Sequence, residues 1–417
     1  MLATWGCTTF PKPTIDLQFA GATSLDNRIT FTRATTATYF NSSGVLTSAA
    51  SGVARFDYNP TTLAPLGLLI EEQRTNSCLQ SEDFSTTWVT TNSSITTNVT
   101  TAPDGTTTAD KLTEALDVNL VHQIAQQPTV TSLATYTASV HFKADTRTRC
   151  RVAFIVGGTG GVFADANLAA GTIGAASSFG GGVAVSSAIQ SVGNGWFRVL
   201  VTGSGPAGTS GEVRCELLDA SGNRQYNGDG TSGLFLWGAQ LEAGAFPTSY
   251  IPTTTTALTR NADVASMTGT NFSDWYNASE GTVVIDCPAN SSNVSITALT
   301  ISDGTNSNRI FIGAGANNAA WNPFLVTSGT SQGSLSTGSS YPPQTNPRLA
   351  VAYKTDDSAA CVSGVAPVVD TTVNLPVVNR MNIGASGVGT VGLNGTIRRI
   401  AYYPTRLANT TLQALTG

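Results

Sequence analysis

Histidine is the scarcest of the side chains that could do acid–base or nucleophilic chemistry here. His122 and His141 are the only two, and a Ser-His-Asp or Cys-His centre needs a histidine held by a third group. His141 falls on the polar side of TYTASVHFKAD and His122 precedes QIAQQPTV, so both read as surface residues. No G-x-S-x-G elbow occurs. Glycan cleavage asks less of a sequence: two carboxyl groups about 5–10 Å apart, drawn from anywhere in the chain. Glu71, Glu72, Glu82, Asp83 and Glu242 are the acids that could supply them. Glu71–Glu72 and Glu82–Asp83 are sequence neighbours, however, and neighbours on a strand point to opposite faces. The expectation is that the chain is not an enzyme.

Metal chemistry finds little support. Cys7, Cys78, Cys150, Cys215, Cys287 and Cys361 are far apart and form no CxxC, which is not zinc spacing. They read as isolated thiols of a protein made in a reducing cytoplasm, with Cys150 and Cys215 as the one pairing to check. Asp303, Asp356 and Asp357 are isolated turn acids that make no calcium loop.

Binding chemistry is better supplied. A sugar ring offers C–H surface on one side and hydroxyls at its edge, which aromatic faces, amides and hydroxyls complement. Trp275 and Tyr276 (DWYNAS), Trp321 (AAWNPF) and Tyr341 (SSYPPQ) stand in such contexts and are the glycan-binding candidates. The alternative is that these aromatics fold onto the body or sit in a subunit contact. Trp196 and Trp237, whose neighbours alternate, read as core.

The elements that must carry these residues are strands. Tyr136, Ala138, Val140 and Phe142 alternate with Thr135, Thr137, Ser139 and His141, the period of a half-buried strand. RCRVAFIVGG, WFRVLVTGSG, EVRCELLDASG and GLFLWGAQLEAG are further apolar runs closed by turn residues, and Asp303-Gly304 and Asp356-Asp357 mark hairpins. Helical periodicity is confined to the end, after Asn409 or Thr410 as N-cap. The fold class is therefore all-β: tandem β-sandwich domains of jelly-roll type at 83–252 and 261–417, preceded by an irregular module at 1–82. PTTTTALTR, between the sandwiches, reads as an exposed linker cut readily at Arg260.

The 417 residues are 41% hydrophobic, enough for real cores, but only 11% charged, against roughly 25% in ordinary soluble domains. Net charge is −5 and the longest basic run is Arg398-Arg399. That excludes an electrostatic footprint for nucleic acid, and no run is long and apolar enough for membrane insertion. MLATWGCTTFPKPTIDLQF lacks the basic and apolar regions of a secretory signal.

Three stretches resemble phage virion proteins. RITFTRATTATYFNSSGVL, ARFDYNP and LGLLIEEQRTN, within 28–76, look like a recurring N-terminal segment of phage head-fibre and tail proteins. LFLWGAQLEAGAFPTSYIPT (234–253) is similar to the last strand of carbohydrate-binding-module-like jelly rolls, and LNGTIRRIAYYPTRLANTTLQALT (393–416) to the close of laminin-G-like, concanavalin-type sandwiches. The resemblance implies a virion-surface fibre or spike subunit, assembled in the host bacterial cytoplasm. It implies a homotrimer, with other virion proteins of capsid, neck or tail and host-surface glycan as partners. It implies that 1–82 dock and 261–417 project. The alternative is a capsid or neck decoration protein; a tailspike depolymerase is the less favoured third. The family includes calcium-binding lectin modules, so Ca2+ is the one ion the resemblance admits; no other cofactor is expected.

Overall fold

The computed structural model describes residues 11–287, 295–315, 321–338, 347–390 and 392–417. Its regular elements are strands, apart from a single helical turn at Thr270–Ser273 and a closing helix at Asn409–Thr416. The expected all-β class and tandem sandwiches are what it contains.

The first sandwich packs two antiparallel sheets. One runs Val183–Ser191, Trp196–Ser204, Tyr136–Ala144, Gly233–Ala243, Ala109–Glu114, Ser93–Thr100. The other runs Thr172–Ile173, Gly160–Asn167, Arg149–Val156, Gly211–Leu218, Gln123–Gln126, Val89–Thr91. Alternation decides the core: Val140, Phe142, Leu236 and Leu241 from the first sheet meet Val152, Phe154, Val213 and Leu217 from the second. Cys78, Cys150 and Cys215 are free thiols in that core, and burial drives each thiol's pKa upward. Cys150 and Cys215, on paired strands, are not joined.

The second sandwich draws strands from both ends of the chain. In one sheet Ile15–Gln18 pairs with Arg399–Tyr403, which continues through Glu280–Asp286, Arg348–Lys354, Ser358–Val362 and Val368–Asp370. In the other, Thr30–Thr32 pairs with Val264–Thr268 and continues through Arg380–Ile383, Ile296–Ser302, Arg309–Ala314, Phe324–Thr327 and Thr330–Ser334. Gly395–Ile397 pairs with Pro65–Ile70, and that strand with Arg55–Tyr58. Ile15, Leu17, Phe19, Phe56, Leu68 and Ile70 therefore share one core with Val283, Ile301, Val351 and Tyr402. The described residues 11–82 do not pack as a module of their own. Their apolar residues are too dispersed to close a core locally, and beyond two local hairpins their strands pair with Leu258–Arg260, Val264–Thr268, Gly395–Ile397 and Arg399–Tyr403. The closing helix has no side-chain N-cap; Ala408 holds that position and Leu412 anchors the helix on the sheet.

The presumed linker is also anchored. Thr254 to Leu258 are exposed, but Leu258–Arg260 pairs with Arg74–Asn76, and Arg260 is only 2% exposed. Its guanidinium donates to the Glu72 carbonyl at 2.7 Å and lies 3.5 Å from Glu71. It belongs to a buried ionic joint between the sandwiches. Arg33 reaches Asp263 at 2.9 Å, and Arg55 reaches Asp263 and Glu71 at 2.5 and 2.8 Å. Burial alone would raise the Glu71 carboxyl, but Arg260 and Arg55, with hydrogen bonds from Ser249, outweigh it and hold it at about 2.

This joint roofs the outer side of the first sheet. The hairpin Ala37–Phe40/Leu46–Ala49 and the segment 244–253 lie over Trp196, Trp237 and His141: Thr38 Oγ1 donates to the Tyr250 carbonyl, and Leu46, Trp196, Trp237 and Tyr250 form one apolar cluster. His141 is 2% exposed and His122 fully buried, so neither is the surface residue its polar neighbours imply. Burial, and the charge of Arg198, push His141 down to about 3.

Candidate ligand-binding surface

The second sheet of the first sandwich keeps an open outer face. Its registers place side chains in cross-strand rows. One row is Thr91, Gln123, Glu216, Arg151, Asp165; the next is Val89, Ala125, Arg214, Ala153, Phe163. Each follows from the two-residue period that turns Val152, Phe154, Val213 and Cys215 inward.

Arginines dominate the middle of this face, and each is oriented by carboxylates. Arg151 grips Asp165 through two bonds of 2.6 and 2.9 Å while its guanidinium lies 3.9 Å over the Phe163 ring. Burial disfavours its charge, but Asp165 and Glu216 overcome that and raise its pKa. Arg224 binds Glu216 at 3.0 and 2.8 Å. Arg214 is held by Glu212 on its own strand and lies 3.6 Å from Glu216.

Beside Arg214 the face deepens into a groove of about 730 Å³, floored by Gln123, Ala125 and Arg214 and walled by Thr87, Val89 and Gln127. Gln126 is spent on structure: its amide exchanges bonds of 2.6 to 2.8 Å with Leu79 and Thr87. Gln127, Thr87 and Thr91 are exposed, and Val89 is 68% exposed. The groove thus offers amides, hydroxyls, a fixed guanidinium and a small apolar strip on a rigid sheet, the mixture that hydroxyl-rich ligands need.

The sequence-predicted glycan candidates lie elsewhere and have other work. Trp275 is 7% exposed, packed 5.0 Å from Phe272 and 4.8 Å from Tyr402, with its indole N–H on the Asn271 carbonyl. The helical turn at Thr270–Ser273 swings Phe272 and Trp275 into the second core. Trp321 is 2% exposed in the same core. Tyr276 is half-buried, stacked 4.7 Å from Phe272, and burial raises its phenol. All three pack against the second core, and Trp275 and Trp321 leave almost no face for a sugar. Tyr341 lies outside the described residues.

The weighed carboxylates are likewise placed. Both oxygens of Glu71 are bonded to Ser249, and both oxygens of Glu242 to Thr248. Asp303 closes its own hairpin through Thr305 and Asn308, and Asp356 turns another with φ 55°. Among the described residues no three His, Cys, Asp or Glu side chains gather to hold a metal. Of the missed residues Gln123, Arg151, Arg214 and Glu216, the last three had a readable signal: RCRV and EVRCE place charges two apart around a buried cysteine.

No family model matches the chain, and no curated protein does. Among solved structures it is similar to the CBM40 module of the Ruminococcus gnavus IT-sialidase, at 18% identity over 34% of this chain and 84% of that one, with TM-score 0.29. It is similar to the NanB sialidase of Streptococcus pneumoniae at 14% identity over 36% of this chain and 26% of that one, TM-score 0.29. A Trypanosoma rangeli sialidase bound to the inhibitor DANA matches at 10% identity over 74% and 60%, TM-score 0.28. One expectation is left without support here and another is corrected. Nothing in these likenesses supports a phage virion family. The reading of the chain as no enzyme does not stand either, because sialidases are among the structures it matches; at such scores they assign no activity to it.

Proposed function

We propose that the chain is a glycan-binding protein whose ligand lies in the groove of the open sheet. The observation that carries this reading is the groove itself: Gln123, Gln127, Thr87 and Arg214 face solvent on a sheet whose opposite side is close-packed core. Such a surface is preorganised, so binding costs little ordering of the protein. Arg214 is fixed by Glu212 and presents remaining N–H donors to a ligand hydroxyl or carboxylate. The finer reading places the protein on a phage surface as a homotrimeric fibre subunit, meeting host-surface glycan and contacting other virion proteins; it rests on the sequence resemblance of residues 28–76.

A glycan array with the intact protein tests the first reading. Gln127→Ala and Arg214→Ala should each weaken the captured glycan about tenfold, the effect of one or two lost hydrogen bonds, with unchanged circular dichroism. Equal binding by both variants would remove the groove from the assignment. Particle fractionation with an antibody to the chain tests the virion placement, and light scattering tests the trimer.

A further inference from the structure

The roof over the first sheet is not sealed. Between the hairpin Ala37–Phe40/Leu46–Ala49 and the sheet it covers lies a pocket of about 190 Å³, room for about six waters. Its floor is Arg198 and Tyr250, its sides are Tyr39, Asp57 and Thr248, and exposed Gln190 stands at the mouth. We propose that this pocket is a second ligand site, taking one neutral, hydroxyl-rich six-membered ring, a single sugar residue, with Asp57, Gln190 and Arg198 as its polar partners and Tyr39 against its C–H face.

Four observations converge on this. The polar groups are braced from behind. Arg198 donates to Ser139 Oγ at 2.9 and 3.1 Å and to the Thr248 carbonyl at 2.7 Å, and its nearest carboxylate, Glu242, is 4.0 Å away. Those bonds engage three of the five guanidinium N–H groups. Asp57 Oδ1 accepts the Phe40 N–H at 2.8 Å. Secondly, the pairing shifts register between Asp57 and Tyr58, leaving Leu66 of the facing strand without a partner, and such irregularities are common beside sites. Thirdly, burial pushes the Asp57 carboxyl up to about 7, against the Phe40 N–H and Arg55 and with the help of Glu71. A purely structural acceptor for the Phe40 N–H would be better made by asparagine, and a carboxyl kept in so unfavourable a place marks a functional group. Fourthly, Arg33, Arg55, Glu71, Arg260 and Asp263 close the rest of the joint as paired charges, as interiors are, whereas Arg198 and Asp57 line a void.

Charge fixes the ligand class. Arg198 and Asp57 both line the pocket, and the Glu71 carboxylate there is already paired with Arg55 at 2.8 Å, so a charged ligand of either sign would meet a like charge. A neutral ring with hydroxyls can accept from Arg198 and Gln190 and donate to Asp57.

The site is independent of the groove, and the test keeps them apart. The full chain is titrated, by ligand-observed NMR and calorimetry, with methyl glycosides of glucose, galactose, mannose and N-acetylglucosamine, and with glucuronic acid as the charged control. At least one neutral glycoside should bind with a dissociation constant roughly millimolar or tighter, glucuronic acid more weakly. Gln190→Ala, at an exposed position, and Asp57→Asn, which keeps the Phe40 bond, should each weaken it about tenfold, and Arg214→Ala should leave it unchanged. The proposal falls if no neutral glycoside binds, or if binding survives Gln190→Ala and Asp57→Asn and is lost in Arg214→Ala.

Discussion

On one sheet of the first sandwich Thr137, Ser139, His141, Arg198, Gln240 and Glu242 point away from the core and are all buried. On the opposite sheet Thr91, Gln123, Arg151 and Arg214 point away from the core and reach water. Both sets alternate with apolar residues in the same period. The difference is made by segments remote in sequence: residues 37–49 and 244–253 cover one face, and among the described residues no comparable segment covers the other. Alternation therefore tells which side of a strand meets its sandwich partner, and leaves open what the other side meets. A buried polar face must satisfy every group, so it becomes a joint; an open one can keep donors and acceptors for a ligand.

That contrast can be broken by substitution. Arg55→Ala or Glu71→Ala should cost about 3–5 kcal/mol, because removing one member of a buried pair strands its partner; urea unfolding measures it, and a loss below about 1 kcal/mol would show the joint to be dispensable. Arg214→Ala on the open face should cost no more than about 1 kcal/mol, the range of exposed pairs. Trp321→Ala sharpens the point about aromatics: it should cost about 3–5 kcal/mol, as a core truncation does, and leave glycan capture intact in whatever protein remains folded.

Asp57 gives an effect of intermediate size and a distinctive pH profile. Unfolded, its carboxyl ionises near the ordinary 3.8; folded, it holds its proton to about 7. The folded state thus binds the extra proton between those values, and its contribution to stability falls as pH rises through that window. Asp57→Asn removes the penalty, so its stabilisation should be small at pH 4 and reach no more than about 4 kcal/mol at pH 7.5, about 1.4 kcal/mol for each unit of the shift, read as thermal midpoint against pH. A variant no more stable than wild type at pH 7.5 would contradict the burial argument. Glu71 works in the opposite sense: held at about 2 when folded, it stabilises above its ordinary range and that support is lost as pH falls toward 2. The smallest expected effect is in proteolysis. Brief trypsin treatment should spare the Arg260–Asn261 bond, since Arg260 is buried and strand-paired; early cleavage there would mean that the joint opens.

Much of the architecture was legible. Alternation in TYTASVHFKAD and the Asp-led turns at 303 and 356 correspond to strands Tyr136–Ala144 and to hairpins. What escaped was non-local. Nothing near Ile15 announces that its partner is Tyr402, and four threonines after a proline look like a linker until Arg260 is seen tied to Glu72. Trp275 and Trp321 looked exposed because polar residues flank them, whereas a single helical turn and a core edge bury them. The open face was present in RCRV and EVRCE, but charge at alternate positions reads equally as plain surface.

The weave of the second sandwich bears on the order in which the chain can fold. Strand Ile15–Gln18 must wait for Arg399–Tyr403, whereas every sheet strand of the first sandwich lies between residues 89 and 243. During synthesis from the N-terminus the first sandwich is complete long before the second has its last strands. Once folded, it brings Asn76 and Leu258 face to face, turning a long flexible insertion into a short bridge. Closing a shorter loop costs less entropy, so the inserted sandwich serves as the clamp that lets the two ends of the chain find each other.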